Sequence, residues 1–201
     1  MKIAGKMIAK LRSALLVASV AAIGTTAAAE GLLVTNYETN TAAVKGLMEP
    51  IMPLINSSTA SNVGIIQLGT QNNANASIDG TSSLALIQQS GSNNRAVQAI
   101  EGTGSALLLV QGGQNNSVVQ ASQGNDNFQL VGVSGNNNQI AYVQKGDNLA
   151  GVLDVRDSVN STVVAIQTPQ SGNFMMPTGL RGLENKTVVV VPGRMYVLPK
   201  R

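Results

Sequence analysis

Between residues 61 and 170, short segments rich in Val, Ile, Leu and Ala alternate with polar residues at a period of two, and Gly/Asn clusters bound each segment. That period belongs to strands and those clusters to turns. The pattern returns every 22 residues, and five copies follow one another without a gap. A fixed period of this length marks a repeat architecture. Each copy predicts strand, turn, strand, turn. A two-strand unit is marginal alone, but stacked copies pair with the copies above and below, about 4.8 Å away, and bury a shared core. The expected fold is therefore all-β, a β-solenoid of five coils that becomes cross-β on polymerisation.

Aligning the copies shows which positions the stack constrains. The first position holds Ser61, Ser83, Ser105, Asn127 and Leu149, and six residues on stand Gln67, Gln89, Gln111, Val133 and Val155. Two further on come Gly69, Gly91, Gly113 and Gly135, where Asp157 breaks the set, and then Asn72, Asn94, Asn116, Asn138 and Asn160. A second series, Gly80, Gly102, Gly124 and Gly146, closes each copy. Inward Gln and Asn side chains stacked in ladders bond the same group one coil away. Each such bond satisfies a group that would cost about 1–3 kcal/mol if buried unpaired. With Ser61, Val63, Ile65 and Gln67 pointing inward, Leu86, Leu108, Leu130 and Val152 form an outward ladder. An exposed aliphatic stripe of that kind predicts a lateral or partner surface.

The motif Ser-x5-Gln-x-Gly-x-x-Asn-x-Ala is intact at Ser61–Ala74 and Ser83–Ala96, and Ser105–Val118 changes only its last residue. It resembles the curlin repeat, the unit of bacterial curli, a functional amyloid of the biofilm matrix. Curlin repeats usually carry a second glutamine six residues after the asparagine; here that place holds Ile78, Ile100, Ser122, Gln144 and Ile166. The resemblance, which covers about half the chain, implies a secreted structural protein of extracellular curli-like fibres on the cell surface. It also implies three kinds of partner: the chain itself and a major curlin subunit, curli secretion and outer-membrane assembly proteins, and host or matrix surfaces. The worn repeats and the basic last segment fit the minor curlin, the nucleator, better than the major fibre subunit. A major subunit and a monomeric β-solenoid adhesin are the alternatives.

The flanks differ from the repeats. Residues 1–29 have the layout of a secretory signal peptide: Lys2, Lys6, Lys10 and Arg12, then apolar Ala14 to Ile23, then Ala27-Ala28-Ala29. Residues 30–60 lack the repeat, contain Pro50 and Pro53, and read as a flexible segment. Residues 171–201 read as a linker and a basic β-hairpin, with Thr187 to Val191 and Met195 to Leu198 flanking Pro192-Gly193. Lys186, Arg194, Lys200 and Arg201 are candidates for anchoring the chain to an acidic partner or anionic surface.

Composition narrows the chemistry. Only 2% of residues are aromatic and 11% charged, so the core rests on small and aliphatic groups. Removing the four basic residues of the signal peptide leaves 9 basic against 10 acidic residues, and no nucleic-acid partner is expected. With no Cys and no His, thiolate ligands and the commonest general base are absent. The carboxylates Asp79, Glu101, Asp126 and Asp147 are scattered one per loop rather than paired. No catalytic, cofactor or metal residues are expected; a β-helix polysaccharide-active enzyme is the remaining enzymatic alternative.

Overall fold

The computed structural model describes residues 60–171, 174–175 and 180–200. The signal peptide, residues 30–59 of the N-terminal segment, residues 172–173 and 176–179 of the linker, and Arg201 lie outside the described residues. The fold is a β-solenoid of two parallel sheets. One, the odd sheet, stacks β1 (Asn62–Thr70), β3 (Leu84–Ser92), β5 (Ala106–Gln114), β7 (Phe128–Asn136) and β9 (Ala150–Val159). The other, the even sheet, stacks β2 (Asn73–Asp79), β4 (Arg95–Glu101), β6 (Ser117–Gln123), β8 (Gln139–Lys145) and β10 (Thr162–Gln167). Through the first four coils every strand pairs with its copy 22 residues away, as in Ile65↔Ile87 and Ala96↔Val118.

Corner chemistry explains why the chain turns where it does. Gln71, Asn93, Asn115 and Asn137 take φ of 55–56°, a left-handed conformation that Asn tolerates better than most residues. Just before them, Gly91 has φ +107°, and a Cβ there would lie 2.0 Å from the Gly113 carbonyl oxygen. Both the dihedral and the closeness of the next coil require glycine.

The core fills the space between the sheets. Ile87, Leu109, Val131 and Leu153 from the odd sheet pack against Ala96, Val118, Ile140 and Val163 from the even one. Inward positions on both sheets also carry amides: Gln89, Gln98, Gln111, Gln120, Gln144 and Gln167 are all buried.

The fifth coil departs from the gapless register. Strand β9 has ten residues where β7 has nine, and pairing shifts from Val133↔Val155 to Gly135↔Ser158. A gapless register would set Asp157 under Gly135, in a column whose four preceding members are glycines at positive φ. The extra residue lets Asp157 bulge out at φ 51°, with its N–H donating to Ser134 Oγ at 3.1 Å, and Ser158 takes the site. Asn160 is therefore not a member of the inward asparagine ladder. It occupies the place of Asn137 at the corner, with φ 50°, and Ser161 stands under Asn138. The same shift moves Ile166 outward and puts Gln167 beneath Gln144, so the second glutamine position is filled in two successive coils.

A sixth coil follows. Its odd-sheet part is two short strands against β9, β11 (Phe174–Met175) and β12 (Leu180–Arg181), and its even-sheet part is β13 (Lys186–Val191), parallel to β10. The predicted hairpin thus contributes one strand to the solenoid. The other, β14 (Arg194–Pro199), folds back antiparallel as the sheet's last edge.

Candidate self-assembly surfaces

Three amide ladders run along the interior. Gln67 Nε2 donates to Gln89 Oε1 at 2.7 Å, Gln89 to Gln111 at 2.9 Å, and Gln111 ends on the Asn116 carbonyl at 2.7 Å because Val133 follows. On the even sheet Gln98 donates to Gln120 at 2.8 Å, and Gln144 to Gln167 at 2.7 Å. Neither even-sheet pair was anticipated from the first-sheet motif, although Gln98 and Gln120 stand 22 residues apart in the same register.

Ser and Asn add a second set of bonds between coils. Asn72, Asn94 and Asn116 donate Nδ2 to the carbonyls of Gly91, Gly113 and Gly135 at 2.7–3.0 Å. Their Oδ1 atoms accept the backbone N–H of the asparagine one coil on, at 3.0–3.1 Å. Ser61, Ser83 and Ser105 accept the N–H of Ser83, Ser105 and Asn127 in the same way at 3.2–3.3 Å. Every one of these side chains serves the coil that follows it. The stack therefore has a polarity written in its hydrogen bonds.

That polarity leaves acceptors unmet at ladder starts. Gln98 Oε1, beside Ala76, and Gln144 Oε1, beside Ser122, are buried without a partner. Gln67 Oε1 begins the third ladder, and among the described residues no donor meets it or replaces the missing asparagine at Gly69. The first coil is also open to water: Val63 is 50% and Ile65 41% exposed, whereas their counterparts Ala85 and Ile87 are wholly buried.

Tyr142 sits inside the fourth coil, its hydroxyl donating to Gln167 Oε1 at 2.7 Å. Burial holds its phenol well above the ordinary value, and the hydrogen bond with Gln144 offsets this only in part.

The predicted aliphatic ladder exists, but it is not an exposed stripe. Leu86, Leu108, Leu130 and Val152 are stacked neighbours on the outer face of the odd sheet, and the last three are only 2–5% exposed. A second apolar column, Leu84, Ala106, Phe128 and Ala150, stands beside them and joins them in one buried cluster. The outer face that is exposed belongs to the even sheet, where Val119, Val143 and Ile166 lie in the open. The shifted fifth-coil register brings Ile166 next to Val143 there.

The basic residues do not form one patch. Lys186 and Lys200 lie near one end of the β13–β14 pair and Arg194 at the other, since Lys186 pairs with Pro199 and Val191 with Arg194. Lys200 is engaged within the fold, its Nζ donating to Asn160 Oδ1 at 3.1 Å. Asn160 in turn donates to Asn185 at 2.6 Å, continuing the corner ladder into the sixth coil. Among the described residues no group of three acidic, His or Cys side chains is placed to hold a metal. No protein-family model, curated protein or solved structure matches this chain.

Proposed function

We propose that the protein is a secreted structural component of extracellular curli-like amyloid fibres, the minor subunit that templates polymerisation. The observation that carries this reading is the open first coil, whose edge strands β1 and β2 are in register with the coils behind them and whose Gln67 ladder stops at an acceptor that another coil can fill. Repeats of the curlin type support the same reading. A signal peptide delivers the chain, curli secretion and outer-membrane assembly proteins export it, and a major curlin subunit polymerises on it. Exposed Lys186 and Arg194, at the two ends of the β13–β14 pair, hold its last coils to an acidic partner or anionic surface at the cell while the first coil faces away.

The test uses a peptide of three tandem copies of residues 83–104, the most regular repeat, followed by thioflavin fluorescence. Added mature protein should shorten the lag several-fold, and the fibres should diffract at about 4.7–4.8 Å and ~10 Å. A lag unchanged by the protein contradicts the proposal.

A further inference from the structure

We infer that the solenoid has one working end: it accepts a partner on its first coil only, and its C-terminal end is closed to addition, including by a second copy of itself. The partner's identity rests on the proposed function; the closure rests on the geometry of the sixth coil.

The first coil specifies what fits it. A preceding coil must supply an amide N–H to Gln67 Oε1, an Asn Nδ2 to the Gly69 carbonyl and a side-chain oxygen to the Asn72 N–H, because those are the groups each coil gives to the next. The occupant is therefore the C-terminal face of a stack whose last coil keeps Ser, Gln and Asn in register. This chain's own last full coil cannot be that occupant, since it carries Leu149, Val155 and Ser161 at those places. Two first coils meeting head to head would set Gln67 Oε1 against Gln67 Oε1, acceptor against acceptor.

The C-terminal end is blunted as sheet edges that avoid pairing are. Parallel pairing of the odd sheet breaks down there into the two-residue strands β11 and β12. On the even sheet the edge is β14, which runs antiparallel and ends in Pro199. A parallel coil arriving there meets the wrong strand direction on one sheet and a broken strand on the other. Lys200 fastens the end shut, its N–H donating to the Asn185 carbonyl at 2.8 Å as its Nζ reaches Asn160.

The chain has no native cysteine, so single cysteines report which end is used. Ile65→Cys in the first coil and Val197→Cys in β14 would each be mixed with the tandem peptide carrying a cysteine at the position of Ile87, and disulfide capture measured. Circular dichroism first confirms that each variant keeps its β-sheet signal. We expect capture at Ile65→Cys several-fold above that at Val197→Cys, and sedimentation of the wild-type protein alone as a monomer over days. Equal capture at both positions, or fibres grown from the protein alone, overturns the one-ended reading while leaving the shortened lag, and so the proposed function, in place. A protein that captures no peptide at either position and does not shorten the lag overturns both.

Discussion

Coils two and three differ from coils four to six in what holds one coil to the next. In the former, Gln89, Asn94 and Asn116 each donate to the coil that follows, and Gln111 accepts from Gln89 before its own amide turns to the Asn116 carbonyl. In the latter, Val133 and Val155 replace the odd-sheet glutamine and Ser161 the asparagine, only the even-sheet pair Gln144–Gln167 keeps an amide ladder, and Leu153, Val163 and Val188 continue the core columns of Ile87 and Ala96. Amide ladders grow by adding another coil, so the open start of the odd-sheet ladder at Gln67 is a place where the stack can be continued. An aliphatic core has no such open start, and it can end.

The comparison breaks most severely at the glycines. Gly91→Ala forces a Cβ against the Gly113 carbonyl at φ +107°, whereas Gly193 in the β13–β14 turn has φ +71° and nothing within 4 Å. Thermal or urea unfolding should show Gly91→Ala losing upwards of about 3 kcal/mol, and Gly193→Ala about 1 kcal/mol for the left-handed backbone alone.

Next in size are the side chains of the ladder. Asn94 donates to the Ser90 and Gly113 carbonyls and accepts from the Asn116 N–H. Asn94→Ala should cost roughly 3 kcal/mol in urea unfolding, from about 1 kcal/mol for each bond. Ser161→Ala, at the equivalent place in the fifth coil, should cost about 1 kcal/mol.

Tyr142 probes the aliphatic half. Tyr142→Phe removes the donor to Gln167 in a buried site and should cost about 1–2 kcal/mol. Because burial raises the phenol's pKa from its ordinary value near 10, the folded protein keeps it neutral where the unfolded chain ionises it. That contribution is whole below pH about 10 and is lost as pH rises beyond it. Urea unfolding from pH 9 to 11 should show the wild type losing stability faster than Tyr142→Phe.

The smallest effect is a gain. Ala76 stands in register with Gln98, whose Oε1 is buried without a partner. Ala76→Gln extends that ladder into the first coil and should stabilise the protein by about 1 kcal/mol.

Much of this was legible in the chain because a 22-residue period is a property of the backbone path. Once Gln67, Gln89 and Gln111 recur in step, parallel pairing of their strands follows. The register failed where a side chain met a backbone limit: Asp157 falls at a glycine site, and the coil absorbs one more residue instead of accommodating it. The break in the glycine series marked the place, and sliding the fifth copy by one residue brings Gln167 under Gln144. Alternation also told which residues share a face, as Leu86 and Leu108 do, but not how exposed that face is. The role of β13 stayed hidden because Thr187 pairs with Thr162 at a separation of 25 residues, off the period.

Backbone hydrogen exchange, read before and after the tandem-repeat peptide is added, tests the central claim most directly. Amides of β1 and β2 should exchange rapidly in the free protein and become protected in the complex, while β10, already paired with β13, and the edge strand β14 keep the rates they had. Protection gained along β14, with β1 and β2 unchanged, would contradict the account.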